Sequence, residues 1–153
     1  MSSPRILLAG NPNCGKTSLF NALTGARQKV GNYPGVTVEK RSGRLTLKGD
    51  SYELVDLPGT YSLASYSPEE KVAQAELLAA GEDVVIVVAD ATNLKKSLVL
   101  LVQLLHIPRR MVLCLNMYDE AESSGQVLDL AQMRALLGLP VVTTVGHRGL
   151  GLD

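Results

Sequence analysis

The chain has no tryptophan and one phenylalanine; with five tyrosines, aromatic residues make up 4% of its 153 positions. That leaves few platforms on which single-stranded bases stack. An excess of one charge is missing too, because fifteen Lys and Arg balance fifteen Asp and Glu. A nucleic-acid binder carries a basic excess or a clustered basic face, so no nucleic-acid partner is expected. Cysteine is scarce: Cys14 and Cys114 stand far apart, and no secretory leader precedes them. A reducing, cytosolic setting fits them better than a disulfide scaffold. Met1 to Arg5 is followed by a short apolar run that stops at Gly10, which is not a signal peptide. The longest apolar stretch, Leu98 to Ile107, is broken by Gln103 and His106. It falls short of the ~20 residues a spanning helix needs, so the chain is expected to be soluble. Repeats and low-complexity tracts are also absent.

What is present is ordinary in amount, with 46% apolar and 20% charged residues. That excludes a disordered or fibrous chain and fits one globular domain over 1–153. A domain of this length buries about 68–70% of its unfolded surface and needs no staples.

Short β-type runs alternate with helical stretches. Arg5 to Ala9 reads as a buried strand and Lys16 to Leu23 as a helix stopped by Gly25. Val36 to Glu39, Arg44 to Lys48 and Tyr52 to Val55 read as strands, the last two joined by a hairpin through Gly49-Asp50. Ser67-Pro68-Glu69-Glu70 opens a helix that runs to about Ala80, with Ser67 as N-cap and Glu70 completing a capping box. Val84 to Val88 is an unbroken β-branched run, as in a central strand covered on both faces. Leu94 to His106 and Leu130 to Leu137 read as helices, and Met111 to Leu115 and Val141 to Thr143 as strands. The alternation predicts an α/β fold, a mostly parallel six- or seven-stranded sheet flanked by helices on both faces. The chain stops after the last strand, where a covering helix is expected. The fold therefore reads as cut short before its C-terminal helix, with one sheet face partly uncovered and self-association or lower stability as the consequence.

Three short motifs sit at strand ends in order. Gly10-Asn11-Pro12-Asn13-Cys14-Gly15-Lys16-Thr17 fits G-x-x-x-x-G-K-[ST] between a strand and a helix. Its glycines let the backbone wrap a polyphosphate, and the exposed N–H groups and helix N-terminus bind the anion. Lys16 would reach the β- and γ-phosphates and the Thr17 hydroxyl would ligate Mg2+. An ordinary Gly-rich turn is the alternative, and the strand–loop–helix context argues against it. Asp56-Leu57-Pro58-Gly59 follows a second apolar strand; Asp56 can hold the metal through a water and Gly59 can offer its N–H to the γ-phosphate. Alone, this tetrapeptide is equally well an Asp-x-Pro-Gly turn. Asn116-Met117-Tyr118-Asp119 ends a third strand, where a carboxylate can accept from the ring N–H and amino group of guanine. Adenine would leave it unpaired, and sites of that kind discriminate by as much as ~10⁴–10⁵. The alternative is a helix N-cap Asp.

Gly31 to Thr37, with two glycines and a proline, lies between the first helix and the second expected strand. It fits a mobile segment in which Thr37 completes the Mg2+ shell once a γ-phosphate is present, or else a plain surface loop. Cys14 beside a helix N-terminus is either a thiol of lowered pKa or a tolerated small side chain. Cys114 reads as core, and His106 and His147 form no metal cluster with the cysteines.

Together these segments resemble a P-loop GTPase, and more narrowly the N-terminal G domain of the ferrous iron transport protein B family. The narrower likeness rests on residues 10–25, 30–40, 56–63 and 116–119, with the Val-Gly-Asn-Tyr-Pro-Gly-Val-Thr-Val-Glu-Lys stretch at 30–40 the most family-specific. The resemblance implies the P-loop GTPase fold and a slow GTPase that switches through the 28–40 and 56–66 loops. It implies a site for GTP or GDP built from residues 10–18, with Ser18 closing that run, from Gly35, Val36, Thr37, Asp56 and Gly59, and from Asn116, Met117, Asp119, Val145 and Gly146. Mg2+ would be held by Thr17, Thr37 and Asp56. K+ would be held by Asn13, acting where other GTPases use an arginine finger. Lys16, Asn13, Thr37 and Gly59 then carry the catalytic roles. The resemblance further implies attachment to a membrane permease region of the same polypeptide, at the cytoplasmic face of the bacterial inner membrane, with a homo-oligomer as an option. Two departures stand out: Thr60 follows the Asp-x-x-Gly motif instead of a glutamine, and Val145-Gly146-His147 replaces the usual Ser-Ala-Arg. A soluble RNA- or ribosome-associated GTPase and a nucleotide-sensing module with negligible turnover remain the competing functions.

Overall fold

The computed structural model describes residues 5–25, 28–64, 67–79, 81–107 and 110–145. The elements are β1 (Ile6–Gly10), α1 (Lys16–Thr24), β2 (Gln28–Asn32), β3 (Glu39–Leu47), β4 (Asp50–Asp56), α2 (Pro68–Leu78) and β5 (Val84–Asp90). A 3-10 turn (Ala91–Asn93) then leads into α3 (Leu94–Leu105), β6 (Arg110–Asn116), α4 (Tyr118–Ser123), α5 (Leu130–Leu137) and β7 (Val141–Thr143). The strands form one seven-stranded sheet in the order β2-β3-β4-β1-β5-β6-β7. β1 runs parallel to β4 and β5, β5 to β6, and β6 to β7, while β2, β3 and β4 pair antiparallel.

β1 is buried along its whole length and its side chains alternate between two cores. Leu7 and Ala9 join Val55, Val85, Val87, Leu113 and Leu115 beneath Leu77 of α2 and Leu100, Leu101 and Leu104 of α3. Ile6 and Leu8 join Leu54, Val88 and Cys114 beneath Leu19 and Phe20 of α1. On this second face α1 packs over β1, β3 and β4. Farther along it, Ile86 and Val112 pair across β5 and β6 and are half-buried, and Val142 of β7 is 41% exposed. Because β1 lies between β4 and β5, its connection leaves to one side and that of β4 to the other. The loop after β1 therefore opens at a switch point, where ligands of open α/β sheets bind.

The structure corrects the expected strand at 36–39. Only Glu39 of it belongs to a strand, β3, while Gln28–Asn32, expected as loop, is the edge strand β2. Tyr33 N–H donates to the Val38 carbonyl at 2.9 Å and Val36 N–H to the Tyr33 carbonyl at 3.3 Å, so residues 33–38 form the turn of a β2–β3 hairpin. The β3–β4 turn is Lys48-Gly49, both at positive φ (48° and 86°), because Leu47 pairs with Asp50. Two left-handed residues make the type of two-residue turn that matches strand twist. α2 begins as expected, with Ser67 Oγ accepting from the Glu70 N–H at 3.1 Å. It ends at Leu78; the expected end at Ala80 lies outside the described residues. The short α4 was not expected.

Candidate functional site

The loop after β1 turns through Asn13 (φ 65°) and Gly15 (φ 83°) and feeds α1. A Cβ on Gly15 would lie well inside contact distance of the Asn116 side-chain nitrogen, so this glycine serves both conformation and close approach. Gly15 is also the N-cap of α1 and no side chain caps the helix, which leaves its first N–H groups for an anion. The Cys14 side chain is buried with Val88 and Cys114 beneath the loop. Burial pushes its thiol pKa up, against a smaller lowering by Lys16 and backbone N–H groups, so it is not a low-pKa thiol.

Lys16 is 7% exposed, and its ammonium pairs with Asp56, the last residue of β4. It also donates to the Leu57 carbonyl at 2.5 Å. Lys16, Thr17, Thr37, Asp56 and Gly59 line one open cavity of about 590 Å3, whose lining includes Arg41 and Glu69, residues that motif reading missed. Lys16, Thr17 and Gly59 also line a neighbouring cavity of about 450 Å3 with Asn11, Asn13, Ser18 and Met117. The two cavities adjoin as a trough only in sharing Lys16, Thr17 and Gly59 as walls. Gly35 and Val36, expected beside the nucleotide, are exposed and line neither cavity.

The Asp56 loop is latched to the first loop. Leu57 N–H donates to the Leu8 carbonyl at 3.0 Å and Thr60 N–H to the Gly10 carbonyl at 2.9 Å, while Gly59 lies against Pro12. The Thr60 side chain, buried, donates to the Ser62 carbonyl at 2.6 Å. α3 holds the far end through Gln103, whose Oε1 accepts from the Leu63 N–H at 2.6 Å. Residues 65 and 66 of the expected 56–66 switch lie outside the described residues.

Tyr33 anchors the 33–38 turn. Its ring is buried under the Lys40 ammonium, 5.7 Å from the ring centroid, and its hydroxyl has no hydrogen bond among the described residues. Burial, with the charge of Glu76 next, pushes its pKa up to about 12.

On the other side, Asn116 ends β6 and is 2% exposed. Its Nδ2 donates to the Cys14 carbonyl at 3.2 Å and its Oδ1 accepts from the Thr144 hydroxyl at 2.9 Å. Through these contacts Asn116 ties β6 to the phosphate loop from beneath. Asp119 stands in the first turn of α4, half-buried, just after Met117 in the left-handed region (φ 58°). Val145 is buried, and Gly146 and His147 lie outside the described residues. Thr144 was missed, since only folding sets it beside a residue 28 positions earlier. Among the described residues no three His, Cys, Asp or Glu side chains gather as a metal cluster. Nor is any helix among them long and apolar enough to cross a membrane.

A family profile described as ferrous iron transport protein B (FeoB_N) matches residues 4–153. The chain belongs to the FeoB_N family. It is 47% identical over 149 residues to the Fe(2+) transport protein A/Fe(2+) transporter FeoB fusion protein of Porphyromonas gingivalis, covering 97% of this chain and 18% of that protein. It is 44% identical over 157 residues to the Fe(2+) transporter FeoB of Escherichia coli O157:H7, covering 100% of this chain and 20% of the relative. The chain thus spans about a fifth of the length of these relatives. Among solved structures, the G domain of the Thermotoga maritima FeoB iron transporter superposes with a TM-score of 0.90 at 48% identity, covering 97% of this chain and 91% of that one. The cytosolic domain of the same transporter in a GDP form superposes at 0.94 and 47% identity, over 99% of this chain and 60% of that one. The fold is that of a P-loop GTPase, as these FeoB_N relatives share it.

Proposed function

We propose that this chain binds GTP and hydrolyses it slowly to GDP and phosphate, as a cytoplasmic G domain that regulates or drives ferrous iron uptake through a membrane permease region of the same polypeptide. The observation that carries the reading is the single cavity lined by Lys16, Thr17, Thr37, Asp56 and Gly59, residues from three separate segments. The relatives' iron transport and the GDP form of the Thermotoga cytosolic domain support its biological half.

In this reading the polyphosphate lies along the loop of residues 10–18. Lys16, which holds Asp56 and the Leu57 carbonyl here, would turn to β- and γ-phosphate oxygens, leaving the Asp56 carboxylate available to help hold Mg2+. Two hydroxyls and a carboxylate, from Thr17, Thr37 and Asp56, are the hard oxygen donors that Mg2+ takes. When bound, Mg2+ neutralises charge on the phosphate oxygens. Asn13 lies on the trough, and the buried Oδ1 of Asn11 has no hydrogen bond among the described residues, so acceptor oxygens suited to K+ flank the loop. A fixed cation there offsets charge that develops during transfer. Gly59 offers its N–H to the γ-phosphate, and Asp119 reads the guanine N–H groups. Thr60 stands where a water-orienting glutamine is usual and spends its hydroxyl on Ser62, which is why slow turnover is expected.

The test is GTP hydrolysis by the purified chain in K+ and in Na+ at equal ionic strength, with Asn13→Ala alongside. Stimulation by K+ that disappears in the variant supports the reading. GTP binding without turnover in either salt leaves a nucleotide-sensing module, and equal rates in both salts remove the cation from the mechanism.

A further inference from the structure

We propose that Cys114 is a positioning residue for the phosphate loop, acting through Thr144 and Asn116. This rests on the guanine-nucleotide reading above for its consequence, and on a proton count for its direction. The Cys14 carbonyl can only accept, so the Asn116 atom facing it, 3.2 Å away, is the amide NH2. The other end of that amide is then the carbonyl oxygen, and it faces the Thr144 hydroxyl at 2.9 Å. Thr144 must therefore donate there, which uses its one proton. Cys114 Sγ lies 3.2 Å from the same hydroxyl oxygen. With that proton spent, the thiol is the donor in this contact. The hydrogen bonds run one way: Cys114 S–H to Thr144, Thr144 O–H to Asn116, and Asn116 NH2 to the loop carbonyl of Cys14.

The backbone keeps Thr144 in place for this. Its N–H donates to the Leu115 carbonyl at 2.9 Å and its carbonyl accepts from the Tyr118 N–H at 3.2 Å. Rotation about the side chain is then set by the hydroxyl's two contacts, with Asn116 on one side and the Cys114 thiol on the other. Burial pushes the Cys114 pKa up, which keeps the donor protonated. A residue at 114 that fills the core but cannot donate lets the Thr144 hydroxyl turn, loosens the Asn116 amide and releases the loop that holds the phosphates.

Valine and serine at position 114 separate this from packing. Cys114→Val keeps an apolar core and loses the donor; Cys114→Ser keeps a donor and puts a hydroxyl into the core. The proposal expects Cys114→Val to bind GDP about three- to tenfold more weakly, as loss of one net hydrogen bond to the loop would give, while melting no lower than Cys114→Ser. Cys114→Ser should bind GDP within about twofold of the parent while melting lower, since one bond is retained and core packing is weakened. The affinity order is thus the reverse of the stability order. Native GDP binding by Cys114→Val, or equally weak binding by both variants, overturns it. If the parent chain binds no guanine nucleotide, the functional reading fails instead. Amide exchange at Gly15 to Ser18 then decides: exchange faster in Cys114→Val alone supports the relay, and unchanged exchange overturns it.

Discussion

Replacing Gly15 by alanine is the most informative single perturbation of the loop, because Gly35 supplies its control. Both residues sit at positive φ, 83° and 77°. Around Gly35 an added Cβ meets nothing within 4 Å, whereas at Gly15 it drives into the Asn116 side-chain nitrogen. For Gly35→Ala the left-handed backbone costs ~1–2 kcal/mol, and the smaller entropy of the unfolded chain offsets ~0.4–1 of it. The net is about 1 kcal/mol. Gly15→Ala carries the same cost and must also push Asn116 aside. That breaks its bonds to the Cys14 carbonyl and the Thr144 hydroxyl, each buried group left unpaired costing ~1–3 kcal/mol. The expected total is about 3–7 kcal/mol. Urea unfolding at pH 7 reads both values. Combining Gly15→Ala with Asn116→Ala sharpens the test, because removing the amide removes the clash and the two losses should fall short of additive by ~1–2 kcal/mol. Equal destabilisation by Gly15→Ala and Gly35→Ala, or strict additivity with Asn116→Ala, would refute the reasoning.

Three further outcomes follow from the same structure. The Tyr33 phenol is pushed up to about 12 by burial, while an unfolded tyrosine titrates near 10. Folded chains hold that proton longer, so stability is intact below about pH 10 and falls between there and about pH 12. Tyr33→Phe should flatten that alkaline limb and cost nothing at pH 7, because the hydroxyl makes no hydrogen bond among the described residues; an unchanged limb contradicts this. Cys14, with its pKa raised, should react with a thiol reagent more slowly than free cysteine at pH 8, and faster reaction would point to a thiolate. Leu104→Ala removes a fully buried side chain under α3 and should cost ~3 kcal/mol in a denaturation series, as large-to-small core changes do.

Much of the site was legible because its signals are local. A buried strand, a glycine-rich loop and a Lys-Thr helix start specify the phosphate loop within a few residues. Ser67-Pro68 and Gly138 mark α2 and α5 in the same way, by caps whose chemistry lies in the chain. β2 was not legible: Gln28-Lys29-Val30-Gly31-Asn32 has one apolar side chain, itself 63% exposed, and is a strand only because β3 pairs with it. α4 is six residues long, too short for helical periodicity to register. The tie of Asn116 to the loop and the pairing of Lys16 with Asp56 span 102 and 40 positions. Such contacts are products of the sheet order, and no spacing rule along the chain reaches them.

The central claim is a guanine-specific phosphate site, and calorimetric titration with GDP and with ADP in Mg2+ tests it most directly. The account predicts GDP binding that Lys16→Ala weakens severely. It also predicts ADP binding weaker than GDP by at least ~10³, because adenine offers the Asp119 carboxylate no matching pair of N–H donors. Equal affinity for the two nucleotides, or GDP binding indifferent to Lys16, would contradict it.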